Sequence, residues 1–331
     1  MAQVWLVTGS SRGLGRAIVE AGLAAGNKVL ATARDIESLH DLSERHGDQI
    51  NLFALDVTDE SAAARAVKAA IGAFGSLEVV INNAGYGNLS SVEDTPMSDF
   101  RAQIETNLFG TIIVTKAALP YFRQRKAGHF VQFSSMGGRI GPPGRGPYSA
   151  AKWGVEGFSE VLSREVAPLG IKVTIVEPGG FRTDFAGSST KLSEGNPDYD
   201  STVGATARFQ RDYNGKQPGD PKKAAQAIVR LTREQKPPLR LLLGSDAYNG
   251  AEKNDLARLE EARSWKELSL STDFEPAQIV GARFAFFVGV ECRSPKAGSA
   301  RRLFRLPTAP TKACCFQCVG SLPSRQLEHR F

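Results

Sequence analysis

The chain has 331 residues, of which 41% are hydrophobic and 23% are charged, and it contains 33 Gly and 17 Pro. This composition is that of a globular protein and argues against a disordered, collagenous or fibrous chain. No apolar run is long enough to span a membrane, and the N-terminus lacks the basic flank of a secretory signal. We therefore expect a cytoplasmic protein.

The net charge of +6 comes from the C-terminal end of the sequence. Residues 275–331 contain nine Lys or Arg and three Asp or Glu, whereas the charges of residues 1–274 balance. The balanced part has no basic bias that would indicate nucleic-acid binding. All four cysteines also lie in the C-terminal stretch, so the rest of the chain is not a disulfide scaffold.

Short runs of strand-forming residues alternate with helix-like stretches through most of the chain. The runs are apolar nearly throughout, which is typical of parallel strands covered by helices on both faces. Right-handed crossovers then build an α/β fold with a doubly wound, Rossmann-type sheet of about seven strands. The predicted strands are Val4–Val7, Lys28–Ala33, Asn51–Leu55, Val79–Asn82, Phe130–Ser134, Val173–Glu177 and Arg240–Leu243. The predicted helices include Leu14–Ala25, Ser61–Phe74, Phe100–Arg125, Tyr148–Ala167 and a stretch near Pro221–Glu234.

The first predicted strand leads into a glycine-rich turn, Thr8–Gly15. Glycines allow a tight turn and let backbone N–H groups approach a pyrophosphate, and the following helix N-terminus adds favourable partial charge. The turn therefore predicts a dinucleotide site, with a bare strand-to-helix turn as the alternative. The cofactor contacts predicted here are Gly9, Ser11, Arg12, Gly13, Leu14 and Gly15.

The end of the second predicted strand bears on the choice of cofactor. An acid at this point would bind the ribose hydroxyls of NAD, but Arg34 follows the strand and Arg12 can approach the same place. Two guanidinium groups suit a 2′-phosphate, so the sequence favours NADP(H) over NAD(H). In the alternative interpretation, Arg34 is a solvated charge and Asp35 binds the ribose.

Residues with acid–base chemistry follow the later strands. Tyr148 and Lys152 are four residues apart at the start of a predicted helix and so share one face. An ammonium beside a phenol lowers the pKa of the phenol, which lets it exchange a proton with an alcohol or a carbonyl near neutral pH. Ser135 ends the fifth strand, Asn82–Gly85 follows the fourth, and Pro178–Thr183 follows the sixth. Carboxyl ends of parallel strands line the ligand crevice.

Together with Asn107, these motifs resemble those of the short-chain dehydrogenase/reductase family over roughly residues 1–270. The resemblance implies that Tyr148 is the general acid/base, that Lys152 lowers its pKa and binds the nicotinamide ribose, and that Ser135 polarises the substrate carbonyl. It also implies that Asn107 kinks its helix and orders a water of the proton relay. The cofactor contacts that it implies are Asp56, Val57, Asn83, Ala84, Gly85, Tyr148, Lys152, Pro178, Gly179 and Thr183.

The sequence and the resemblance thus predict an NADP(H)-dependent oxidoreductase that interconverts a secondary alcohol and a carbonyl. The alternatives are a non-catalytic NADP(H)-sensing protein and an epimerase or dehydratase on the same fold. Met136, Phe181 and Phe185 indicate an apolar pocket for a lipophilic small molecule, unless they pack in the core. The helices Phe100–Arg125 and Tyr148–Ala167 resemble the family's dimer faces, so we expect a homodimer or a homotetramer.

Two regions depart from the alternating pattern. The polar residues from about 184 to 220 are interpreted as a mobile substrate flap within a single domain of residues 1–274. The basic extension 275–331 is predicted to be disordered, with a basic interaction arm as the alternative. Its cysteine run lacks the second half of a zinc site, and we expect no bound metal.

Two arginines, Arg139 and Arg145, lie in the loop before Tyr148. Isolated loop arginines are most often solvated, and we interpret both in that way. The alternative is that they bind an acidic substrate.

Overall fold

The computed structural model describes residues 2–187, 189–192 and 195–274. Within these ranges, the residues up to Thr272 form one compact unit. The basic extension 275–331, predicted to be disordered, lies outside the described residues. The strands are β1 (Val4–Val7), β2 (Lys28–Ala33), β3 (Ile50–Ala54), β4 (Val79–Asn82), β5 (Gly87–Leu89), β6 (Gly128–Phe133), β7 (Ile171–Pro178), β8 (Thr190–Leu192) and β9 (Arg240–Leu243).

Helices of different lengths connect the strands. They are α1 (Gly13–Ala24), α2 (His40–His46), α3 (Glu60–Phe74), α4 (Met97–Ile104), α5 (Gly110–Arg125), α6 (Gly146–Val166), α7 (Ala205–Tyr213), α8 (Pro221–Arg233), α9 (Ser245–Ser264) and α10 (Lys266–Leu270). Short 3-10 turns and two π-helical segments, Glu105–Phe109 and Asp200–Gly204, complete the connections.

Seven parallel strands form one sheet in the order β3-β2-β1-β4-β6-β7-β9. The chain winds outward from β1 in both directions, so the switch point of the topology lies between β1 and β4. Ligands of open α/β sheets bind outside the carboxyl ends of the strands at such a point. The predicted doubly wound sheet of about seven strands is confirmed, whereas the short parallel pair of β5 and β8 was not predicted.

Apolar residues cover both faces of the sheet. Successive side chains of a strand point to opposite faces, and accordingly the neighbours Trp5 and Leu6 of β1 belong to different core clusters. Trp5 packs under α1 and α8, where a Cβ atom added at Gly22 would lie 2.7 Å from the indole ring. Leu6 belongs to the cluster covered by α3 and α5. Burial on both faces explains why the strands are apolar nearly throughout.

The predicted helix Phe100–Arg125 is divided into three parts. It begins earlier, at Met97, and a π-helical turn over Glu105–Phe109 separates α4 from α5. The fully buried Asn107 lies at the centre of this turn. The irregularity that the family resemblance implied at Asn107 is therefore a local π-helical turn.

The segment predicted as a polar flap contains regular structure. Its described part includes β8, the π-helical segment Asp200–Gly204 and α7. Val203 and Ala207 are buried against Leu89, which gives this segment a small core cluster of its own. The polar composition concealed α7 because only a narrow side of the helix is buried.

No helix in the described parts of the chain combines the length and apolar character needed to cross a membrane.

His129 of β6 makes the stability of the fold sensitive to acid. The imidazole is buried, its Nε2 atom lies 3.0 Å from Thr174 Oγ1, and burial lowers its pKa from 6.5 to about 3. The unfolded chain therefore binds the proton at a higher pH than the folded chain does. The contribution of the buried, neutral imidazole to the stability of the fold is complete above pH 6.5 and declines as the pH falls toward about 3. We expect His129 to lower the free energy of unfolding by about 1.4 kcal/mol per pH unit in that window.

Urea unfolding at several pH values between about 7 and 5 measures this slope. His129→Gln keeps a polar group beside Thr174 but cannot take up a proton. The variant should therefore lose stability less steeply than the wild type as the pH falls. Equal slopes for both proteins would contradict the prediction.

Candidate active site

A cavity of about 890 Å³ opens at the carboxyl ends of the parallel strands. Its wall is built mainly from the segments that follow β1, β2, β4, β6 and β7, because these strand ends meet at one edge of the sheet. All of the predicted site residues except Asn107 lie on this wall. They are Gly9, Ser11, Arg12, Gly13, Leu14, Gly15, Arg34, Asp56, Val57, Asn83, Ala84, Gly85, Ser135, Tyr148, Lys152, Pro178, Gly179 and Thr183.

The glycine-rich turn lies on the cavity wall and packs too closely against its neighbours for Gly9 or Gly15 to carry a side chain. Gly9 has φ +68°, and a Cβ atom there would lie 2.8 Å from the Cα atom of Ala84. A side chain at Gly15 would overlap the carbonyl oxygen of Gly9. A Cβ atom at Gly13 would lie 3.5 Å from the Cβ atom of Thr183, so the turn faces the segment that follows β7. This cradle at a helix N-terminus fits the pyrophosphate of a dinucleotide.

The side chain of Asn83 holds the glycine-rich turn in place. Its Nδ2 atom donates hydrogen bonds to the carbonyl oxygens of Thr8 (3.0 Å) and Gly9 (3.1 Å). Its backbone N–H donates to Thr8 Oγ1 at 3.0 Å. Asn83 therefore links the ends of β1 and β4, and it shapes the cavity through these contacts.

An arginine lies on the cavity wall just beyond the end of β2. Arg34 and Arg12 both line the cavity, and both are exposed to solvent. Asp35 is not on the wall, and its Oδ1 atom accepts a hydrogen bond from the backbone N–H of Glu37 at 3.0 Å. The carboxylate thus stabilises the turn after β2, while the two arginines belong to the cavity wall.

Ser135, Tyr148 and Lys152 come together at the inner end of the cavity. The Tyr148 ring and the Ser135 hydroxyl lie side by side, since a Cβ atom added at Gly137 would be 3.2 Å from Tyr148 Cε1 and 3.4 Å from Ser135 Oγ. Lys152 Nζ donates to the carbonyl oxygen of Phe133 at 2.8 Å and lies 5.8 Å from the centre of the Tyr148 ring. Ser135 Oγ also accepts a hydrogen bond from the backbone N–H of Gly137 at 3.0 Å. A phenol, an alcohol and an ammonium are therefore adjacent and largely shielded from solvent.

Burial dominates the ionisation of both buried groups. It raises the pKa of Tyr148 above its ordinary value, and the polar side chain of Ser135 and the charge of Arg145 act in the opposite direction. Burial also lowers the pKa of Lys152 to about 8, against the opposing effect of Glu156. The desolvation of a phenolate thus outweighs the interactions that lower the pKa of Tyr148, and the role implied for Lys152 stays a prediction.

Asn107 is the predicted site residue that lies behind the cavity wall. Its Oδ1 atom accepts a hydrogen bond from the Tyr86 N–H, and its Nδ2 atom donates to the Tyr86 carbonyl oxygen, both at 3.0 Å. A Cβ atom at Gly85 would lie 2.5 Å from Asn107 Oδ1 and 3.7 Å from Lys152 Nζ. Asn107 thus fixes the segment after β4, and its side chain and that of Lys152 both flank the position where a side chain at Gly85 would stand.

Arg139 and Arg145 are not solvated loop charges, and that interpretation was wrong. Arg139 forms ion pairs with Asp255 and with the buried Glu177, the latter at 3.1 Å. Arg145 is partly buried on the cavity wall next to Tyr148. Their partners lie far away in sequence, so only the folded chain brings them together.

The end of the cavity next to Tyr148 includes residues that the sequence analysis missed. The wall there includes Phe209, Gln210 and Tyr213 of α7 and Asp246 of α9. Asp246 Oδ2 accepts a hydrogen bond from the backbone N–H of Gly180 at 2.7 Å, which anchors the segment after β7. No local motif marks these residues, because α7 and α9 reach the cavity only through tertiary packing. The apolar side chains Met136, Phe181 and Phe185 also lie on the wall, as expected.

Known proteins resemble this chain over most of the described residues. The family profile described as short chain dehydrogenase matches residues 3–193. The oxidoreductase BOA17 of Botryotinia fuckeliana is 48% identical over 273 residues, which cover 82% of this chain and 100% of that protein. The crystal structure of a short-chain dehydrogenase from Streptomyces avermitilis has a TM-score of 0.78 and 42% identity, covering 83% of this chain and 100% of that one. The structure of ElxO with NADP bound has a TM-score of 0.63 and 25% identity, covering 75% of this chain and 100% of that one.

Proposed function

Because the chain belongs to the short-chain dehydrogenase family of oxidoreductases, we propose that it interconverts a secondary alcohol and a carbonyl compound with NADP(H) as its cofactor. The observation that carries this proposal is the meeting of Ser135, Tyr148 and Lys152 at the inner end of the cavity. The glycine-rich turn at the other end fits a dinucleotide. ElxO, which shares the fold, was solved with NADP bound.

In the proposed reaction, side chains of the site donate a proton and stabilise the charge that develops on the substrate oxygen. The Ser135 hydroxyl holds the substrate oxygen, and the Tyr148 hydroxyl donates a proton to that oxygen when the carbonyl is reduced. The Lys152 ammonium, which donates to the Phe133 carbonyl oxygen, would bind the nicotinamide ribose. Bound NADP(H) supplies the hydride for reduction and accepts it for oxidation.

The raised pKa of Tyr148 supports carbonyl reduction as the favoured direction. Burial keeps the phenol protonated at neutral pH, and a protonated phenol is the form that donates a proton. Alcohol oxidation needs the phenolate instead, which this environment disfavours. Loss of the Tyr148 proton should therefore not limit the rate of reduction at neutral pH.

Arg34 is proposed to select NADP(H) through the 2′-phosphate, with Arg12 as its partner. Arg34→Ala is expected to lower kcat/KM for NADPH about tenfold to a hundredfold, because a charge-assisted contact to phosphate is lost. The value for NADH should change little. Steady-state kinetics with each cofactor measure the ratio, and Arg230→Ala, an exposed change on α8, serves as the matched control. An equal loss with both cofactors would remove Arg34 from the recognition of the phosphate.

The reaction itself is tested with purified protein, NADPH and a panel of lipophilic ketones, with the absorbance of NADPH as the readout. Consumption of NADPH that depends on the ketone supports the proposal. Tight binding of NADPH without turnover of any ketone would favour a sensing protein. Conversion of a substrate without net consumption of cofactor would favour an epimerase or dehydratase.

We also propose that residues 1–274 act as one catalytic domain and that two or four copies assemble. Phe109, Trp153 and Val161 are exposed on the π-helical turn before α5 and on α6, the helices whose sequences resemble the family's dimer faces. Exposed apolar side chains of this kind favour burial against a second copy. Light scattering of the purified protein measures the number of copies.

A further inference from the structure

Arg145 occupies an unusual position just before α6. Its side chain is partly buried on the wall of the catalytic cavity, and its Cζ atom lies 6.0 Å from the centre of the Tyr148 ring. Nη1 donates to the carbonyl oxygen of Asn88 at 3.3 Å, and Nη2 donates to Gln210 Oε1. Both acceptors are neutral, so these hydrogen bonds orient the guanidinium without balancing its charge.

No carboxylate forms an ion pair with Arg145 within residues 2–187, 189–192 and 195–274. Two other partly buried arginines behave differently: Arg139 pairs with Glu177, and Arg240 pairs with Glu156 at 3.0 Å. A cation that is removed from water without an anion is costly to the fold. In line with this, burial lowers the pKa of Arg145. The cavity therefore holds a positive charge for which the described protein supplies no counterion.

We propose that Arg145 is the anion-binding group of the catalytic cavity and that the substrate carries a carboxylate a few bonds away from its reacting carbonyl. This inference rests on the proposed function, because it takes Tyr148 as the point where the carbonyl oxygen binds. A guanidinium has five N–H donors, and Asn88 and Gln210 engage two of them. The remaining donors suit the fork geometry of a carboxylate.

The rest of the wall indicates the body of such a substrate. The Phe185 ring lies 5.6 Å from the Tyr148 ring, centre to centre, and Phe209 and Tyr213 stack with their centres 5.0 Å apart on α7. These aromatic side chains favour an apolar group beside the anion. The proposed substrate is therefore an oxo acid with an aryl or alkyl body. Such a molecule fits both the apolar pocket and the acidic substrate that the sequence left open as an alternative for Arg145.

A purely structural role for Arg145 is the competing explanation, since its hydrogen bonds link β5 to α7. Matched acids and esters separate the two roles, because they differ in charge and little in shape. The probes are benzoylformate and 3-benzoylpropionate, which place the carboxylate at different distances from the carbonyl, together with their methyl esters. Calorimetric titration of the NADP⁺-saturated protein measures binding, and consumption of NADPH measures turnover.

For the wild type, we expect at least one acid to bind about tenfold to a hundredfold more tightly than its ester, as a charge-assisted hydrogen-bonded pair predicts. Arg145→Met should abolish this preference and leave the binding of the ester nearly unchanged. Arg145→Lys, which keeps the charge but not the fork, should retain part of it. Arg230→Met, at an exposed arginine of α8, is the matched control and should retain all of it.

Two outcomes would overturn the anion site. One is that the wild type binds acid and ester equally tightly, or binds neither of them. The other is an Arg145→Met variant that weakens acid and ester to the same extent and lowers the melting temperature, which would mark a structural link. A preference for acids without any consumption of NADPH would instead refute the proposed function and leave the anion site standing.

Discussion

Tyr148→Phe is expected to lower kcat for carbonyl reduction about a thousandfold, within the range that a general acid contributes. The substitution removes the phenolic hydroxyl of the ring that lies beside Ser135 at the inner end of the cavity. The remaining ring keeps its place beside Phe185, because the packing of the aromatic rings does not depend on the hydroxyl. The affinity for NADPH should therefore stay within a few-fold of the wild-type value.

Two measurements test this expectation: kcat from the consumption of NADPH, and the dissociation constant of NADPH from its fluorescence. Tyr213→Phe is the matched control, since Tyr213 also lines the cavity and its hydroxyl lies 3.5 Å from Asp246 Oδ2. Loss of that long contact should change kcat only slightly. A Tyr148→Phe variant with the kcat of the wild type would remove Tyr148 from the mechanism.

Lys152→Met is expected to lower kcat/KM about a hundredfold, because a charged hydrogen-bond donor that positions the reacting groups is lost. The ammonium is buried, and its donation to the Phe133 carbonyl oxygen holds it between Tyr148 and the segment at Gly85. Methionine has a similar length but no charge and no donor. The loss should therefore affect catalysis far more than the packing of α6.

The pH dependence of kcat/KM tests the role of Lys152 separately. Its pKa of about 8 means that the ammonium loses its proton as the pH rises through that value. The kcat/KM of the wild type should fall above about pH 8, and Lys152→Met should lack this decline. Lys172→Met is the matched control, because Lys172 also donates to a backbone carbonyl, that of Glu234, but does not line the cavity. An alkaline decline that persists unchanged in Lys152→Met would assign it to another group.

Local patterns in the sequence were sufficient for the sheet and for most of the cavity wall. Apolar runs predicted all seven strands of the main sheet, and they are most continuous in central strands such as β1 and β4, which are buried on both faces. The glycine-rich turn was predictable because Gly9 and Gly15 lie where a side chain would overlap neighbouring atoms. The spacing of Tyr148 and Lys152 was informative because residues four apart share one face of a helix.

Other features depend on contacts between distant parts of the chain, and no local pattern encodes them. Arg139 and Arg145 look alike in the sequence, but one meets Glu177 and Asp255 while the other faces the cavity. The direction of the pKa shift of Tyr148 likewise depends on how completely its surroundings exclude water. The sequence alone thus determined the strands, the turn and the reactive pair, because short-range periodicity and backbone sterics suffice for them. Tertiary packing decided the charges on the cavity wall and which residues line it, because burial and electrostatic environment are properties of the folded chain.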